Sequence, residues 1–245
     1  MVDKDNGFTL PGSDVLSSIE VPPPKVEMII PTINEEKTIN LVIDKALKFV
    51  GSILVIDGGS TDNTVETAKE MGAKIVHQNS RGKGLALREA FEHVDGEIVV
   101  LLDGDGSMSP EEIPLFVKQI DAGADVVKGS RFMVEGGSED ISRIRKFGNA
   151  FFLFLVNMIY GTNFSDLCYG FIVLRKDAVK KLACTLRSKG FNIETEILIK
   201  SKKLGLKIVE VPSFESQRLF GRSRLKALRD GFSILCTIVR EVLVN

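Results

Sequence analysis

The chain has 245 residues, 44% of them hydrophobic and 27% charged, with a formal net charge of −1. That length accommodates one large α/β domain plus an appendage, and the charge balance excludes the broad basic field of a nucleic-acid-binding protein. Cys168, Cys184 and Cys236 lack paired spacing, which predicts reduced, mostly buried thiols in a cytoplasmic protein; with only His77 and His93 beside them, a zinc site is not expected.

Residues 1–25 are polar, end on Val21-Pro22-Pro23-Pro24, and show no signal-peptide pattern; a flexible tail is expected there. Val26 to Ile30 reads as a strand closed by Pro31. From Glu35 to about Phe49, apolar Ile39, Val42, Ile43, Ala46 and Leu47 recur at helical spacing. Ile53 to Ile56 is the next strand, Asp57-Gly58-Gly59-Ser60 turns the chain, and Asn63 with Glu66 fits a capping box opening a helix to about Met71. Lys74 to Val76 is a third strand. Arg81-Gly82-Lys83-Gly84 leads into a helix ending near Phe91, and lacks P-loop spacing. It is either a flexible helix start or a cradle of backbone N–H groups and Lys83 for a diphosphate.

The run Ile98-Val99-Val100-Leu101-Leu102 is a buried strand by its continuous apolar character, and Asp103-Gly104-Asp105 follows at once. If the backbone stays extended, residues two apart face the same side, so Asp103 and Asp105 could share one hard divalent cation. Such a cation keeps coordination positions open for substrate phosphates. A dinucleotide fingerprint is excluded here, because Ser109 replaces the third glycine and the two carboxylates would repel a pyrophosphate. Pro110 marks a helix start running to about Ala122, and Asp125 to Lys128 is a strand ending in Gly129-Ser130-Arg131.

Beyond Glu135 the pattern is less regular. Phe147 to Tyr160 is an apolar helix, too short for the ~20 residues that cross a bilayer; core packing with an interfacial edge is expected. A strand near Phe171 to Leu174, a helix from Ile193 to Leu204 and a strand from Lys207 to Val211 follow. In the last segment Leu225, Leu228, Phe232, Leu235, Val239 and Val242 recur at helical spacing, flanked by Lys226, Arg229 and Arg240. This is either a helix packed on the domain or an amphipathic helix lying in a membrane surface. Alternating strands and helices imply a mainly parallel sheet with helices on both faces, whose ligands bind beyond the carboxyl ends of the strands. Pro31, Asp57, Asp103 and Arg131 all fall there.

The succession Pro31-Thr32-Ile33-Asn34-Glu35, Asp57-Gly58-Gly59-Ser60-Thr61-Asp62, Gly82-Lys83-Gly84 and Asp103-Gly104-Asp105-Gly106-Ser107 resembles the family 2 inverting glycosyltransferases. Gly129-Ser130-Arg131, Arg143-Ile144-Arg145, Ser165-Asp166-Leu167-Cys168-Tyr169-Gly170-Phe171, Gly190-Phe191 with Glu196, Glu210-Val211-Pro212 and Arg218-Leu219-Phe220-Gly221-Arg222-Ser223-Arg224-Leu225 look like dolichyl-phosphate mannose or glucose synthases. Gly58, where many members carry Asp, and Ser107, where many carry Gln, depart from the family pattern.

The resemblance implies a glycosyltransferase-A-type fold over residues 26–224, with a donor-binding half at 26–131, an acceptor-binding half at 132–224, and a C-terminal amphipathic helix at 225–245. It implies a donor such as GDP-mannose or UDP-glucose, held by Pro31, Ile33, Glu35, Asp57, Lys83, Asp103, Gly104 and Asp105. Mg²⁺ or Mn²⁺ would sit on Asp103, Asp105 and Ser107. The acceptor would be a polyprenyl (dolichyl) phosphate, its phosphate gripped by Arg131, Arg145, Arg218 and Arg224, and the enzyme would work peripherally on the cytoplasmic face of a membrane. Catalysis would fall to Asp105, Arg131, Arg218 and Asp166. If the acceptor were a sugar hydroxyl, Asp166 would be the base; a nucleotide-sugar-binding module without catalysis is the remaining alternative.

Overall fold

The computed structural model describes residues 25–221 and 223–244. The expected tail, up to residue 24, and Arg222 lie outside the described residues. A seven-stranded sheet runs in the order β3-β2-β1-β4-β7-β5-β8. Its strands are β1 (Val26–Thr32), β2 (Ser52–Asp57), β3 (Lys74–His77), β4 (Ile98–Leu101), β5 (Val126–Ser130), β7 (Ile172–Arg175) and β8 (Ile208–Pro212). All pair in parallel except β7, which is antiparallel to both β4 and β5. Two short strands, β6 (Gly137–Ser138) and β9 (Phe214–Glu215), pair apart from it.

Strand alternation divides the core into two layers. Met28, Ile30, Val100 and Val173 face α1 (Ile39–Ala46) and α4 (Ile113–Asp121). Ile29, Leu54, Val99, Leu101 and Leu174 face α3 (Lys83–Ala90), α6 (Lys176–Ala183) and α7 (Ile193–Lys203). A third cluster joins α7 to α5 (Arg143–Tyr160) and α8 (Ala227–Leu243) through Val156, Leu198, Ile199, Ile234 and Ile238.

Several local expectations are corrected. β1 continues through Pro31 to Thr32. Ile29 accepts from Leu102 N on the β4 side and Thr32 from Gly58 N on the β2 side, so Pro31 turns its missing N–H toward β4, which has already ended. At the start of α2 (Thr64–Glu70), Asn63 makes no side-chain cap; the Asp62 carboxylate takes the Thr64 N–H at 3.1 Å instead, so no capping box forms. Helix α6 was not expected. Cys184 and Cys236 are exposed and Cys168 is half-buried, so the thiols are not mostly buried. Helix α5 fully buries only Asn149 and Val156; Phe152, Leu153 and Tyr160 pack half-buried on the third cluster, and the exposed apolar edge is broad, with Phe147 76% and Phe154 63% exposed.

Candidate active site

The carboxyl ends of the strands open into a cleft of about 390 Å³ lined from both halves of the chain. On its floor β4 stops at Leu101, and residues 104–106 turn, with Gly106 at φ +75°. The extended geometry expected for Asp103-Gly104-Asp105 is therefore absent. Both carboxylates still line the cleft, but each faces a different cation. Lys83, the first residue of α3, places Nζ 2.6 Å from Asp103 Oδ1 and 2.8 Å from Glu194 Oε1. Burial works to lower the Lys83 pKa, but the two carboxylates outweigh it and hold the ammonium charged. Asp105 accepts from Ser107 N and Ser107 Oγ at 3.0 and 2.7 Å, and its other oxygen lies 3.2 Å from the Arg218 guanidinium. The Ser107 hydroxyl thus orients Asp105.

Around this floor, Pro31, Ile33, Glu35 and Gly104 line the cleft. Thr38 Oγ1 donates to Gly104 O at 2.7 Å, fixing the turn against the start of α1. The Glu35 pKa is pushed up to about 7, first by burial and then by the nearby Asp105 charge. Asp57 is placed differently from expectation. It is buried and accepts from Gly59 N and Ser60 N, with His77 Nδ1 at 3.3 Å. Burial pushes its pKa up, but these hydrogen bonds win and hold it low. Gly58 and Gln78, not Asp57, line the cleft.

The Gly82-Lys83-Gly84 alternatives are also resolved by contacts. Gly84 N donates to Lys189 O at 3.1 Å. A Cβ on Gly82 would stand 2.2 Å from that carbonyl oxygen, and one on Gly84 would stand 2.4 Å from Ser188 O. These glycines admit a neighbouring loop, and the Gly84 N–H is already taken by protein rather than facing a diphosphate.

Arg145, Arg218 and Arg224 line the same cleft. Arg145 and Arg218 share the Asp140 carboxylate at 3.1 and 3.2 Å, and Arg224 donates to Ile33 O at 2.8 Å. Arg131 also reaches the cleft, but its fork is committed. It is 6% exposed, bidentate to Asp166 and 3.0 Å from Glu215. Its guanidinium lies 4.8 Å from the Tyr169 ring centre. Asp166 is fully buried; burial raises its pKa, yet Lys128 and Arg131 together hold it low. A buried carboxylate bonded to an arginine is not placed to take a proton from an acceptor. Arg131 and Asp166 are thus committed to each other and brace the wall of the cleft.

Comparison with known proteins agrees with this architecture. Residues 27–183 match the profile of glycosyl transferase family 2. The chain belongs to that family. Among curated relatives, this family 2 chain is similar to glycosyltransferase AglJ of Haloferax volcanii, at 35% identity over 91% of this chain and 74% of that protein. A dolichyl-phosphate hexose transferase of the same organism is 30% identical over 88% of this chain and 93% of its own length. Among solved structures, glucosyl-3-phosphoglycerate synthase from Mycobacterium tuberculosis, in complex with Mn²⁺, UDP and glucosyl-3-phosphoglycerate, superposes with a TM-score of 0.73 at 22% identity. That alignment covers 100% of this chain and 88% of the other. The glycosyltransferase-A-type fold and the assignment as a glycosyltransferase follow.

In this family 2 enzyme the two carboxylates after β4 suit a hard divalent ion, which needs only one or two carboxylates beside substrate phosphates. Among the described residues no cluster of three His, Cys, Asp or Glu exists to cage an ion unaided. Sequence reasoning did not find Glu194, Asp140 or Glu215, the anions that hold Lys83, Arg218 and Arg131. Their only signal was an excess of cations on the cleft side that needed partners.

Proposed function

We propose that this glycosyltransferase moves a hexose from a nucleoside-diphosphate sugar, GDP-mannose or UDP-glucose, to a polyprenyl phosphate, inverting the anomeric centre. The observation that carries this reading is that one cleft is lined both by Asp103 and Asp105 and by Arg145, Arg218 and Arg224. Residues 26–131 supply the donor side and 132–224 most of the acceptor side.

A bound Mg²⁺ or Mn²⁺ would supply Lewis-acid stabilisation of the departing diphosphate, with Asp103 and Asp105 as its protein ligands. Ser107 holds Asp105 in orientation for that role. Lys83 adds a fixed positive charge where negative charge builds up. A phosphate acceptor is already an anionic nucleophile, so its main need is relief from repulsion by the donor diphosphate. Arg145, Arg218 and Arg224 meet that need as charged, planar donors. The burial of Asp166 counts against a hydroxyl acceptor that would use it as base. The relative named dolichyl-phosphate hexose transferase supports the same acceptor class.

A lipid acceptor places the cleft at a membrane. Helix α5 leaves Ile144, Phe147, Phe151, Phe154 and Met158 exposed, and α8 leaves Leu228, Phe232, Val239 and Val242 exposed. The cleft lies at the N-terminal ends of these two helices, where Arg145 and Arg229 line it. An apolar stripe edged by cations fits an anionic membrane surface. No helix among the described residues is long and apolar enough to cross a membrane, so the association would be peripheral.

The test incubates the protein with labelled UDP-glucose or GDP-mannose and polyprenyl phosphate, with and without Mg²⁺ or Mn²⁺. Metal-dependent lipid-linked hexose is expected, reduced about 100-fold or more in Asp105→Ala. Equal activity in the variant, or better transfer to 3-phosphoglycerate than to the lipid, would overturn the reading.

A further inference from the structure

The inner face of α8 carries charge. Arg240 donates to Glu196, a fully buried carboxylate in the first turn of α7. Glu196 spends its remaining capacity on backbone: Arg187 N at 2.9 Å and Ser188 N at 2.7 Å. One turn further back along α8, Thr237 Oγ1 accepts from Asn192 Nδ2 at 2.8 Å, and that amide also reaches Ser188 Oγ at 2.8 Å. Two α8 side chains thus clamp the segment 187–189 from one side. On its other side, Lys189 O receives Gly84 N at the start of α3, while Ser188 and Lys189 press on the glycines flanking Lys83. Glu194, in the same first turn of α7 as Glu196, takes the Lys83 ammonium directly.

We propose that Arg240 is a positioning residue for the donor side of the cleft: through Glu196 and the 187–189 segment it fixes the start of α3, and so the reach of Lys83 to Asp103. This rests on the donor assignment of Lys83 and Asp103 made above. The physical cause is the buried Glu196. A buried carboxylate stripped of its cation either takes up a proton or rearranges toward water, and both responses weaken its hold on Arg187 N and Ser188 N. Lys189 O then no longer has a fixed place from which to order Gly84. Partners one layer removed from a phosphate or metal site commonly matter through such orientation.

Hydrogen exchange on the intact protein reads the linkage without turnover. In Arg240→Met, exchange in the segment spanning Gly84 and Leu85 should accelerate by about tenfold or more, and Arg240→Lys should restore much of the protection. In Thr237→Val, which leaves the ion pair whole, the same segment should accelerate by a smaller factor. Steady-state kinetics on the same proteins should show the donor KM of Arg240→Met rising about tenfold, with the acceptor KM near its original value. Unchanged exchange at 84–85 in folded Arg240→Met and Thr237→Val would overturn the proposal. Faster exchange with an unaltered donor KM would overturn it together with the assignment of Lys83. A wild-type protein inactive toward polyprenyl phosphate, yet showing the exchange response, would sink the proposed acceptor and leave the mechanical link standing.

Discussion

Arg218 occupies two anionic environments at once: Asp105 at 3.2 Å and Asp140 at 3.2 Å. Burial opposes its charge, while Asp140 and Asp105 together favour it, Asp140 by hydrogen bonding as well. Asp105 cannot give the same oxygen fully to a guanidinium and to a divalent ion, so under the proposed function Arg218 would compete with metal before serving the acceptor. Arg218→Ala should therefore leave Mn²⁺ binding in the presence of UDP as tight as before or tighter, measured by electron paramagnetic resonance. The same change should raise the acceptor KM by roughly 10- to 100-fold, the worth of a lost charged hydrogen bond. Weaker Mn²⁺ binding with an untouched acceptor KM would reassign Arg218 to the donor. Asp103 and Asp105 were legible from sequence because a buried apolar strand followed at once by carboxylates advertises a rim site. The direction of Asp57 was not. A short acidic side chain beside Gly59 and Ser60 can close a turn as readily as face a ligand, and only the position of His77, twenty residues on, decides it.

At the scale of elements, α3 and the 187–189 segment approach each other closely at two glycines. A Cβ on Gly84 would fall 2.4 Å from the Ser188 carbonyl oxygen, a backbone atom with little freedom to yield. On helix propensity alone Gly84→Ala should gain about 1 kcal/mol. Overpacking should reverse that sign and cost about 1–3 kcal/mol, seen as a lower urea midpoint. A stabilised variant would show that the loop can retreat. The glycine pattern was readable as special, but two causes produce it, ligand approach and chain approach, and a contact 105 residues distant separates them. Helix α6 escaped notice for a simpler reason. Only Ala178, Val179 and Leu182 are buried in it, too short an apolar signal among its lysines.

At the scale of the molecule, eleven of the seventeen exposed large hydrophobic residues among the described residues lie on α5 and α8. Phe147 and Phe232 are 76% and 68% exposed and lie outside the cleft lining. Full burial of one such ring in an apolar phase is worth about 1.5–3 kcal/mol. Phe147→Ser with Phe232→Ser should therefore cut sedimentation with phosphatidylglycerol vesicles by more than about tenfold, while the thermal midpoint stays close to that of the parent. Unaltered vesicle binding would direct attention away from this face. The parallel sheet and its rim were foreseeable from alternation of strands and helices, because that pattern leaves few topologies. The extent of the exposed edge on α5 was not, since a run of phenylalanines reads alike whether a protein core or a lipid covers it.

The reversed strand β7 has a consequence for how such an enzyme can change. It comes from beyond residue 131 and threads between β4 and β5, two strands that precede residue 131. Neither portion can be cut out and exchanged as a cassette, because each would expose a torn ladder of amides. New substrate preferences must then arise by piecemeal editing of the rim loops on an undivided plank, and chimaeras joined at residue 131 should inherit neither parent's solubility.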